Sequence, residues 1–447
     1  MLLARSAERS IDAQYYIWHD DLTGSLLFDE LEAAAKRGIR VRLLLDDNNT
    51  VGMDEALAAL NAHPNIEVRL FNPFRMRKLR LLGFLTDFQR LNRRMHNKSF
   101  TVDNDVTIVG GRNIGDEYFG AGDGALFADL DVLTIGGVVD EVATDFDLYW
   151  ESASAVPAAR ILPRVSAART QEIAARRAAR MLAPEAAEYR EAIRQLPFVQ
   201  KLLEQRLSFE WATVRMISDH PSKGTGRATP KQLLITRLER IFGSAQQRLD
   251  LVSGYFVPTR AGVDTFTALA ENGVRINILT NALEATDVPI VHAGYAKHRK
   301  ALLRAGIGLW EIRGAVRDAP LPRNVSRAGS AGGVPRAGGT ALHAKTFAVD
   351  GSRLFVGSFN LDPRSAQLNT ELGFVIESRS LAESVDEAFD TLIPEAAYEL
   401  RLDARGKLYW VEDSGGRNIR HDREPGTSGW QRGLISFLAR LPIEWLL

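Results

Sequence analysis

The 447-residue sequence contains no cysteine, which excludes disulfide bonds and thiolate metal sites. It also carries no net charge, because 56 basic residues balance 56 acidic ones, and this argues against a general polyanion-binding protein. No run of apolar residues is long enough to span a membrane. The first ten residues, MLLARSAERS, lack the long apolar core and the small-residue cleavage site of a signal peptide.

The residues that are present have the balance of a soluble globular protein, with 45% hydrophobic and 25% charged. A chain of 447 residues is too long for one ordinary core. Two or three domains are therefore expected.

Two segments carry the same four residues at the same spacing. In each, a His is followed by Lys two residues later, Asp seven later and Asn seventeen later. These residues are His96, Lys98, Asp103 and Asn113 in the first segment and His343, Lys345, Asp350 and Asn360 in the second. Each residue is separated from its counterpart by 247 positions (343 − 96 = 360 − 113 = 247), which chance does not readily explain.

The surrounding sequence indicates an internal duplication. A strand at 11–18, a helix ending at Gly38 and a strand at 39–47 form a β-α-β unit, and the same order returns at 249–281. The second copy is preceded by a further strand at 211–218 and a helix. The first domain therefore either does without that edge strand, or the chain lacks a natural N-terminal piece.

The chain divides into four parts on this pattern. Residues 151–208 show helical spacing without a strand pattern, and residues 313–340 read as a mobile basic loop rich in Gly and Pro. The predicted parts are a first α/β domain at 1–150, a helical connector at 151–208, a second α/β domain at 209–400, and a C-terminal strand with an amphipathic tail at 401–447.

Two imidazoles in one site can divide the roles of nucleophile and general acid. Attack on phosphorus gives a phosphohistidine, and the second His protonates the leaving oxygen and later accepts a proton from the incoming alcohol. The Lys and Asn side chains stabilise charge on the phosphoryl oxygens, so the predicted chemistry needs neither a metal nor a cofactor. The predicted residues for this chemistry are His96, Lys98, Asn113, His343, Lys345 and Asn360.

Four carboxylates are further candidates. Asp131 and Glu371 each lie near the start of the strand after a motif, and we expect them to orient the two histidines. Asp103 and Asp350 each precede a turn, so they either take part in catalysis or stabilise that turn.

Three other features have two readings. The pair His292 and Tyr295 lines a pocket or packs in the core. The basic and apolar segment at 71–95 is either a solvated helix with one buried face or a contact for an anionic lipid surface. The tail resembles either an interfacial helix or a docking helix, through Trp430, Leu434, Phe437, Leu438, Leu441, Trp445 and Leu447.

The two motifs, HNKSFTVD…GGRN and HAKTFAVD…GSFN, resemble the HKD motifs of the phospholipase D superfamily. Similarity extends through QYYIWHDDLTG, LLLDDNNT, GGRNIGDEYFG, IVHAGYAKHRKALL, GSFNLDPRS and LNTELGFVIES, and is strongest to bacterial cardiolipin synthases of the C type. This resemblance implies an α/β fold of two pseudo-twofold-related phospholipase D-like domains sharing one active site. It also implies His96 as the nucleophile and His343 as the acid, although their symmetry leaves the assignment open.

The resemblance further implies transfer of a phosphatidyl group onto phosphatidylglycerol to make cardiolipin. The donor is phosphatidylglycerol or phosphatidylethanolamine, and no nucleic acid partner is expected. The implied location is the cytoplasmic side of the bacterial cytoplasmic membrane, as a peripheral protein at an anionic surface. The alternatives are hydrolysis of phospholipid to phosphatidic acid, or phosphodiesterase or nuclease activity.

Overall fold

The structure, a computed structural model, describes residues 1–121, 126–204, 206–314, 340–441 and 444. Most of the predicted loop at 313–340 therefore lies outside the described residues. The strands are, in chain order, β1 (Ser10–Tyr15), β2 (Arg40–Asp46), β3 (Ile66–Phe71), β4 (Ser99–Val102), β5 (Val106–Gly110), β6 (Leu126–Ala128), β7 (Asp131–Ile135), β8 (Ala155–Pro157), β9 (Thr213–Ser218), β10 (Arg248–Ser253), β11 (Arg275–Asn281), β12 (Gly308–Ile312), β13 (Thr340–Leu342), β14 (Lys345–Val349), β15 (Arg353–Gly357), β16 (Leu372–Glu377), β17 (Ala397–Leu402), β18 (Leu408–Asp413) and β19 (Asn418–His421).

Helices cover and connect these strands. They are α1 (Leu2–Ser6), α2 (Leu22–Lys36), α3 (Asp54–Asn61), α4 (Arg80–Leu91), α5 (Asp116–Phe119), α6 (Val138–Trp150), α7 (Ala167–Leu182), α8 (Pro184–Arg194), α9 (Pro197–Leu203), α10 (Leu234–Phe242), α11 (Thr259–Glu271), α12 (Pro289–Ala296), α13 (Arg299–Arg304), α14 (Pro363–Gln367), α15 (Arg379–Glu387), α16 (Ile393–Ala396) and α17 (Gly429–Leu438). No helix in the described part of the chain combines the length and the apolarity needed to cross a bilayer.

Two large sheets repeat one plan. The first has the order β7-β5-β4-β1-β2-β3-β8, and the second has the order β19-β18-β17-β12-β11-β10-β14-β15-β16-β9. In both, three parallel strands stand beside an antiparallel group that begins with the motif strand, β4 or β14. Strand β9 extends the second sheet beyond β16, and within the described residues the first sheet has no counterpart beyond β7.

Helix α2 shows how local sequence builds the first β-α-β unit. The Asp21 carboxylate accepts a hydrogen bond from the Gly24 N–H at 2.9 Å and so caps the helix. Phe28 and Leu31 are buried against the sheet, where truncation of such a side chain to Ala costs about 2–5 kcal/mol. The helix is followed by Gly38, whose φ of 97° is the left-handed conformation that glycine tolerates.

The connector differs from its prediction. Residues Ala155–Pro157 form β8, which pairs antiparallel with β3, so the expectation of no strand within 151–208 is wrong at this point. Two or three residues suffice to pair at a sheet edge, and so short a strand leaves no recognisable alternation in the sequence. Helices α7, α8 and α9 make up most of the rest of the connector.

The two halves share a hydrophobic core. Val109 and Val142 of the first half belong to one buried cluster with Val356 and Phe374 of the second. A two-stranded parallel sheet of β6 and β13 also joins the halves. The halves are therefore packed face to face where the motif strands begin.

The tail forms α17 within the described residues. Ile435 packs against α12, whereas Trp430 and Phe437 are 74% and 59% exposed. This is the amphipathic arrangement expected from the sequence, although Trp445 and Leu447 lie outside the described residues.

Candidate active site

The two motif strands bring their histidines to the same place. Strand β4 runs antiparallel to β1, and β14 runs antiparallel to β10, so each motif strand begins near the carboxyl end of a parallel strand. His96 and His343 immediately precede these strands and are buried, at 5% and 4% exposure. Ligands in open α/β sheets bind outside the carboxyl ends of the strands, and both histidines stand there.

Each histidine is held by the opposite half of the molecule. His96 N–H donates to Thr370 O at 2.9 Å, and His343 N–H donates to Ala128 O at 2.8 Å. His96 Nδ1 lies 2.8 Å from Glu371 Oε2, which follows Thr370. Each half therefore supplies hydrogen-bond partners to the histidine of the other half, and neither half can form the site alone.

The other carboxylate is Asp129. His343 Nδ1 lies 2.5 Å from Asp129 Oδ2. A neutral imidazole that donates from Nδ1 to a carboxylate keeps its lone pair on Nε2. Both histidines are thus held in the tautomer that leaves Nε2 for a substrate.

The prediction that Asp131 orients a histidine is wrong. The Asp131 carboxylate instead accepts hydrogen bonds from Arg112, from its backbone N–H at 3.1 Å and from Nε at 2.7 Å. Asp131 begins β7 and pairs with Gly110, as Gly373 pairs with Gly357 in the second half. Asp131 therefore corresponds to Gly373.

A sequence signal for the correct residue was present. By the same register, Asp129-Leu130 corresponds to Glu371-Leu372, and each acidic residue stands two positions before the residue that pairs with the Gly at the end of the return strand. The loop between motif and carboxylate is longer in the first half, because the offset is 371 − 129 = 242 rather than 247. The shared Asp/Glu-Leu dipeptide identifies Asp129 once this difference in loop length is allowed.

Ser358 is a further site residue that the sequence reading missed. Its carbonyl oxygen lies 3.1 Å from His96 Nδ1, and its Oγ donates to Glu371 Oε2 at 2.5 Å. Its counterpart in the first motif is Gly111, where a Cβ atom would lie only 2.2 Å from Asp129 Oδ1. Glycine at this position is what lets Asp129 approach.

The two lysines are arranged alike. Lys98 Nζ donates to His96 O at 2.6 Å, and Lys345 Nζ donates to His343 O. Lys345 Nζ also lies 2.7 Å from His343 Nδ1. That nitrogen cannot donate to Asp129 and accept from Lys345 together, and the bond to an ionised carboxylate is the stronger, so Lys345 acts on the imidazole through its charge.

Burial and the lysines keep both histidines neutral. Burial, with Lys98 and Lys345, holds the pKa of His96 well below its ordinary value. Burial and Lys345 lower the pKa of His343 to about 4, although Asp129 opposes the shift. Since lysines of both motifs act on each imidazole, the two half-sites form one electrostatic unit.

The two carboxylates differ in protonation. Burial would raise the pKa of Asp129, but Lys345, His343 and Arg112 outweigh burial and hold this pKa well below its ordinary value. Burial raises the pKa of Glu371 to about 7, although Lys98 and Ser358 oppose the shift. The Asp129 carboxyl group is therefore fully ionised at neutral pH, whereas the Glu371 carboxyl group is only partly ionised there.

Behind Glu371 lies a buried ion pair. Lys223 Nζ donates to Asp219 Oδ2 at 2.8 Å, and the same oxygen accepts the Glu371 N–H at 3.0 Å. Lys223 and Asp219 are 1% and 0% exposed. Lys223 also donates to Ser365 O at 2.8 Å, so the pair fixes the backbone of Glu371 against α14.

The two Asn residues complete the motifs. Asn113 Oδ1 accepts from Ile17 N–H at 3.1 Å, which leaves its NH2 group as a donor. Asn360 is buried, and its Oδ1 has no hydrogen-bond partner in the described part of the chain. Both amides stand where the return strands end, beside the motif strands.

Asp103 and Asp350 are placed away from this chemistry. Asp103 accepts hydrogen bonds from the backbone N–H groups of Glu8, Arg9 and Ser10. Asp350 accepts them from residues 246–248. Each stands at the far end of a motif strand, five residues and up to about 16 Å from its lysine at 3.3 Å per residue. Of the two readings, the structure supports stabilisation of the backbone and not catalysis.

Aromatic rings surround the imidazoles. The Tyr16 ring lies 4.8 Å from the His96 ring, and Tyr118 and Phe127 lie 5.3 and 5.4 Å from the His343 ring. These rings exclude water and leave the imidazoles few orientations. Tyr16 also lies 5.3 Å from Lys98 Nζ, so it adds a cation–π contact.

His292 and Tyr295 serve mainly in packing. His292 Nε2 lies 2.8 Å from Glu424 Oε1, next to Arg299, and Tyr295 packs on Phe256. They also line a small cavity with Asn281. The buried charges tie the segment before α17 to the second domain.

One group of side chains has the spacing of a cation site. Ligand atoms of His19, Asp21 and Glu117 lie within 4.8 Å of one another. All three are already engaged, because Asp21 caps α2 and His19 Nδ1 pairs with Glu117 at 3.1 Å. The group is therefore explained as a structural polar cluster at the start of α2.

Comparison with known proteins identifies the family. A family model described as cardiolipin synthase, PLD-like domain, matches residues 2–150 and 238–393. The chain belongs to this family. Cardiolipin synthase C of Escherichia coli (strain K12) is 50% identical over 447 residues, covering 100% of this chain and 92% of the relative.

More distant proteins share the architecture. Cardiolipin synthase 1 of Staphylococcus epidermidis is 23% identical over 394 residues, covering 88% of this chain and 64% of the relative. The crystal structure of phosphatidylserine synthase from Haemophilus influenzae matches with a TM-score of 0.62 at 17% identity, covering 100% of this chain and 92% of that one. The predicted superfamily and the α/β fold of two phospholipase D-like domains are confirmed. The boundaries at 150, 208 and 400 stay predictions.

Proposed function

We propose that the chain is a phosphatidyltransferase that makes cardiolipin by moving a phosphatidyl group onto phosphatidylglycerol. The observation that carries this proposal is the pair of neutral imidazoles, each fixed through Nδ1 by a carboxylate of the opposite half. The 50% identity to a cardiolipin synthase over the whole chain supports the choice of lipid substrates.

In the first step, His96 Nε2 attacks the phosphorus of the donor lipid. The P–N bond forms, the bond from phosphorus to the headgroup oxygen breaks, and His343 Nε2–H delivers a proton to that oxygen. Lys98 and Lys345 stabilise the charge that develops on the phosphoryl oxygens, and the amides of Asn113 and Asn360 donate hydrogen bonds to them.

In the second step, the acceptor hydroxyl of phosphatidylglycerol gives its proton to His343 Nε2. Its oxygen attacks phosphorus, and the P–N bond to His96 breaks. With phosphatidylglycerol as both donor and acceptor, the products are cardiolipin and glycerol. With phosphatidylethanolamine as donor, they are cardiolipin and ethanolamine.

The carboxylates favour His96 as the nucleophile. A general acid needs an imidazolium in the first step, and the firm anion Asp129 stabilises that cation at His343. A bound phosphodiester adds negative charge that raises the pKa of His343 from its value near 4. Glu371, with a pKa of about 7, is only partly ionised at neutral pH and suits a histidine that is neutral before it attacks.

We place the enzyme on the cytoplasmic side of the bacterial cytoplasmic membrane, as a peripheral protein. The lipid nature of the proposed substrates supports a location at a membrane, since the reacting phosphate of the donor and the reacting hydroxyl of the acceptor both sit in a lipid surface.

Purified protein incubated with phosphatidylglycerol vesicles, with and without phosphatidylethanolamine, tests the proposal. We expect cardiolipin, together with glycerol or ethanolamine in equal amount, and the released alcohol identifies the donor. Chelator should not change the rate. The control is His96→Ala, with its fold checked by circular dichroism.

Formation of phosphatidic acid without cardiolipin would replace this proposal with hydrolysis. Nicking of DNA at low salt, without lipid turnover, would replace it with nuclease activity.

A further inference from the structure

An exposed apolar stripe beside the first motif has no part in the chemistry above. Its members recur at every third residue along α4 and the turn before it. We call these residues the α4 stripe: Met76, Leu79, Leu82, Leu85 and Phe88, exposed by 40%, 60%, 46%, 82% and 43%. Several large apolar side chains exposed along one short segment mark a site of interaction, unlike scattered single residues.

The segment that carries the stripe is anchored close to His96 at both of its ends. Helix α4 connects β3, at whose carboxyl end Asn72 stands, to the segment that enters His96. Asn72 Nδ2 donates to Arg93 O at 2.9 Å, and Arg94 Nη2 donates to Asn72 O at 2.7 Å. The two ends of the segment 72–94 are thus hydrogen-bonded to each other, two to three residues before His96 in the chain. Val51, 71% exposed, lies in the loop after β2, and Arg80 of α4 donates to Thr50 Oγ1 of the same loop at 3.3 Å.

The arginines of this segment point inward. Arg77 bonds both Asp47 and Asp54, with Nη1 2.7 Å from Asp47 Oδ1. Arg80 donates to Asp47 O at 2.5 Å, and Arg90 Nε donates to Asp87 at 2.7 Å.

Arg93 and Arg94 likewise bond backbone carbonyls and Asp46. Among the described arginine side chains at 75–94, only Arg75 has no such partner. Most of these arginines bond the protein's own carboxylates or backbone carbonyls, which leaves little of their charge for anionic lipid.

What α4 presents outward is an apolar stripe with little free charge. We propose that the α4 stripe inserts into the surface of a lipid layer, chiefly through apolar burial rather than through charge. A helix that lies in the interface buries its apolar face at the boundary of headgroups and acyl chains. Within residues 71–95 no unpaired acidic group opposes this contact, because Asp87 is the only acid there and it is paired with Arg90.

A lipid occupant fits the position of the stripe. The choice of lipid over a second copy of the chain rests on the proposed function, because a phosphodiester whose acyl chains stay in the layer must reach a buried Nε2. A segment with exposed apolar side chains that is anchored at both ends close to His96 would hold the site at the lipid surface. The exposed Arg75 is compatible with anionic headgroups there.

Flotation of the full chain with vesicles measures the proposed contact without turnover. The test variant is Leu85→Gln, and the matched control is Leu182→Gln, because Leu182 at the end of α7 is 84% exposed but lies in the connector. We expect Leu85→Gln to bind vesicles about tenfold more weakly, the loss of one buried Leu side chain, and Leu182→Gln to bind normally.

The dependence of vesicle binding on salt concentration distinguishes an apolar contact from a charged one. Binding to phosphatidylcholine vesicles with added phosphatidylglycerol should fall less than about threefold between about 0.1 M and about 1 M salt, while the Debye length drops from about 10 Å to about 3 Å. Binding that disappears at high salt, or that is equal for the two Leu variants and wild type, would overturn the proposal. So would a dimer in solution that Leu85→Gln dissociates while vesicle binding is unchanged.

Turnover separates this proposal from the proposed function. With a short-chain monomeric phosphatidylglycerol, Leu85→Gln should react at the wild-type rate, and with vesicles it should react more slowly. Loss of activity on both substrates would mean that α4 supports the site and not the contact with lipid. Vesicle binding that depends on Leu85 in a protein without transferase activity would uphold this inference and overturn only the function.

Discussion

The two half-sites around His96 and His343 have the same backbone plan but different acidic groups. His96 faces Glu371, which Ser358 also contacts, whereas His343 faces Asp129 across the space left by Gly111. The shorter Asp129 side chain can approach His343 only because Gly111 has no side chain. The longer Glu371 side chain has room for Ser358, whose hydroxyl donates to it. The two halves thus differ by a pair of residues that fit each other, Gly111 with Asp129 in one half and Ser358 with Glu371 in the other, and not by a single substitution.

This difference gives the halves different electrostatics. The pKa of Asp129 is held low by Lys345, His343 and Arg112, while burial lifts the pKa of Glu371 to about 7. Like environments would have produced two equivalent histidines. In the proposed mechanism, the unlike carboxylates would let one half stabilise an imidazolium and the other hold a nucleophile that is neutral before it attacks.

The largest expected effect comes from removing each histidine. His96→Ala and His343→Ala should each lower turnover of phosphatidylglycerol at least about 10⁴-fold, because nucleophile and acid act as a unit. A phosphatidyl ester of p-nitrophenol separates them, since nitrophenolate leaves without a proton. His343→Ala should release one equivalent in a burst and keep the phosphatidyl group on His96, while His96→Ala should show no burst. The reverse result would exchange the two roles.

The next comparison is between Asp129 and Asp131, the two acidic residues on either side of Leu130. Asp129→Asn should lower kcat about 10³-fold, because His343 loses the anion that stabilises its charged form. Asp131→Asn, the matched control, should change kcat less than tenfold and lower Tm, since Arg112 loses part of its partner. Equal losses of kcat in the two variants would contradict the assignment of Asp129.

A pH profile sharpens the contrast between Glu371 and Asp129. Because Glu371 must be ionised to accept from His96, kcat/KM of the wild type should rise with pH through about 7. Glu371→Gln should be at least about 100-fold slower and lack this limb. Asp129→Asn should retain it, and a wild-type profile flat from pH 6 to pH 8 would be incompatible with a titrating Glu371.

The same group predicts a stability effect. A carboxyl whose folded pKa is raised from 4.5 to about 7 adds stability that is fully present below pH 4.5 and is lost as the pH rises to 7. At pH 8 the buried charge costs about 3 kcal/mol. Glu371→Gln should therefore raise Tm at pH 8 and change it little at pH 5, measured by thermal unfolding. Glu371→Asp, which keeps the charge, should show no such gain.

The smallest expected effects lie where the halves are most alike. Asp103→Ala and Asp350→Ala should each cost about 1–2 kcal/mol of unfolding free energy, as the loss of a backbone cap does, with kcat unchanged. Both carboxyls have a lowered pKa despite partial burial, because backbone N–H groups bond them. Their contribution is present above their ordinary pKa of 3.8 and is lost as the pH falls. A variant with a lower kcat but the stability of the wild type would instead assign that aspartate a role in catalysis.

Much of the fold and the site could be read from the residues in order. The repeat of His96, Lys98 and Asn113 at 247 positions revealed the duplication, because a buried phosphoryl site tolerates few other side chains. The β-α-β units could be predicted from alternation and helical spacing. Strand β8 could not, because three residues at a sheet edge leave no period to detect.

The sequence by itself therefore determined the family, the two motifs and the chemical class of the site. Only the tertiary structure decided which carboxylate serves which histidine, because Asp129 and His343 are 214 residues apart and their contact crosses between the halves. It also decided that Asp131 serves Arg112 and that the arginines around α4 turn inward. Such pairings depend on where a chain is buried and what lies opposite, and neither property is contained in the order of residues near any one of them.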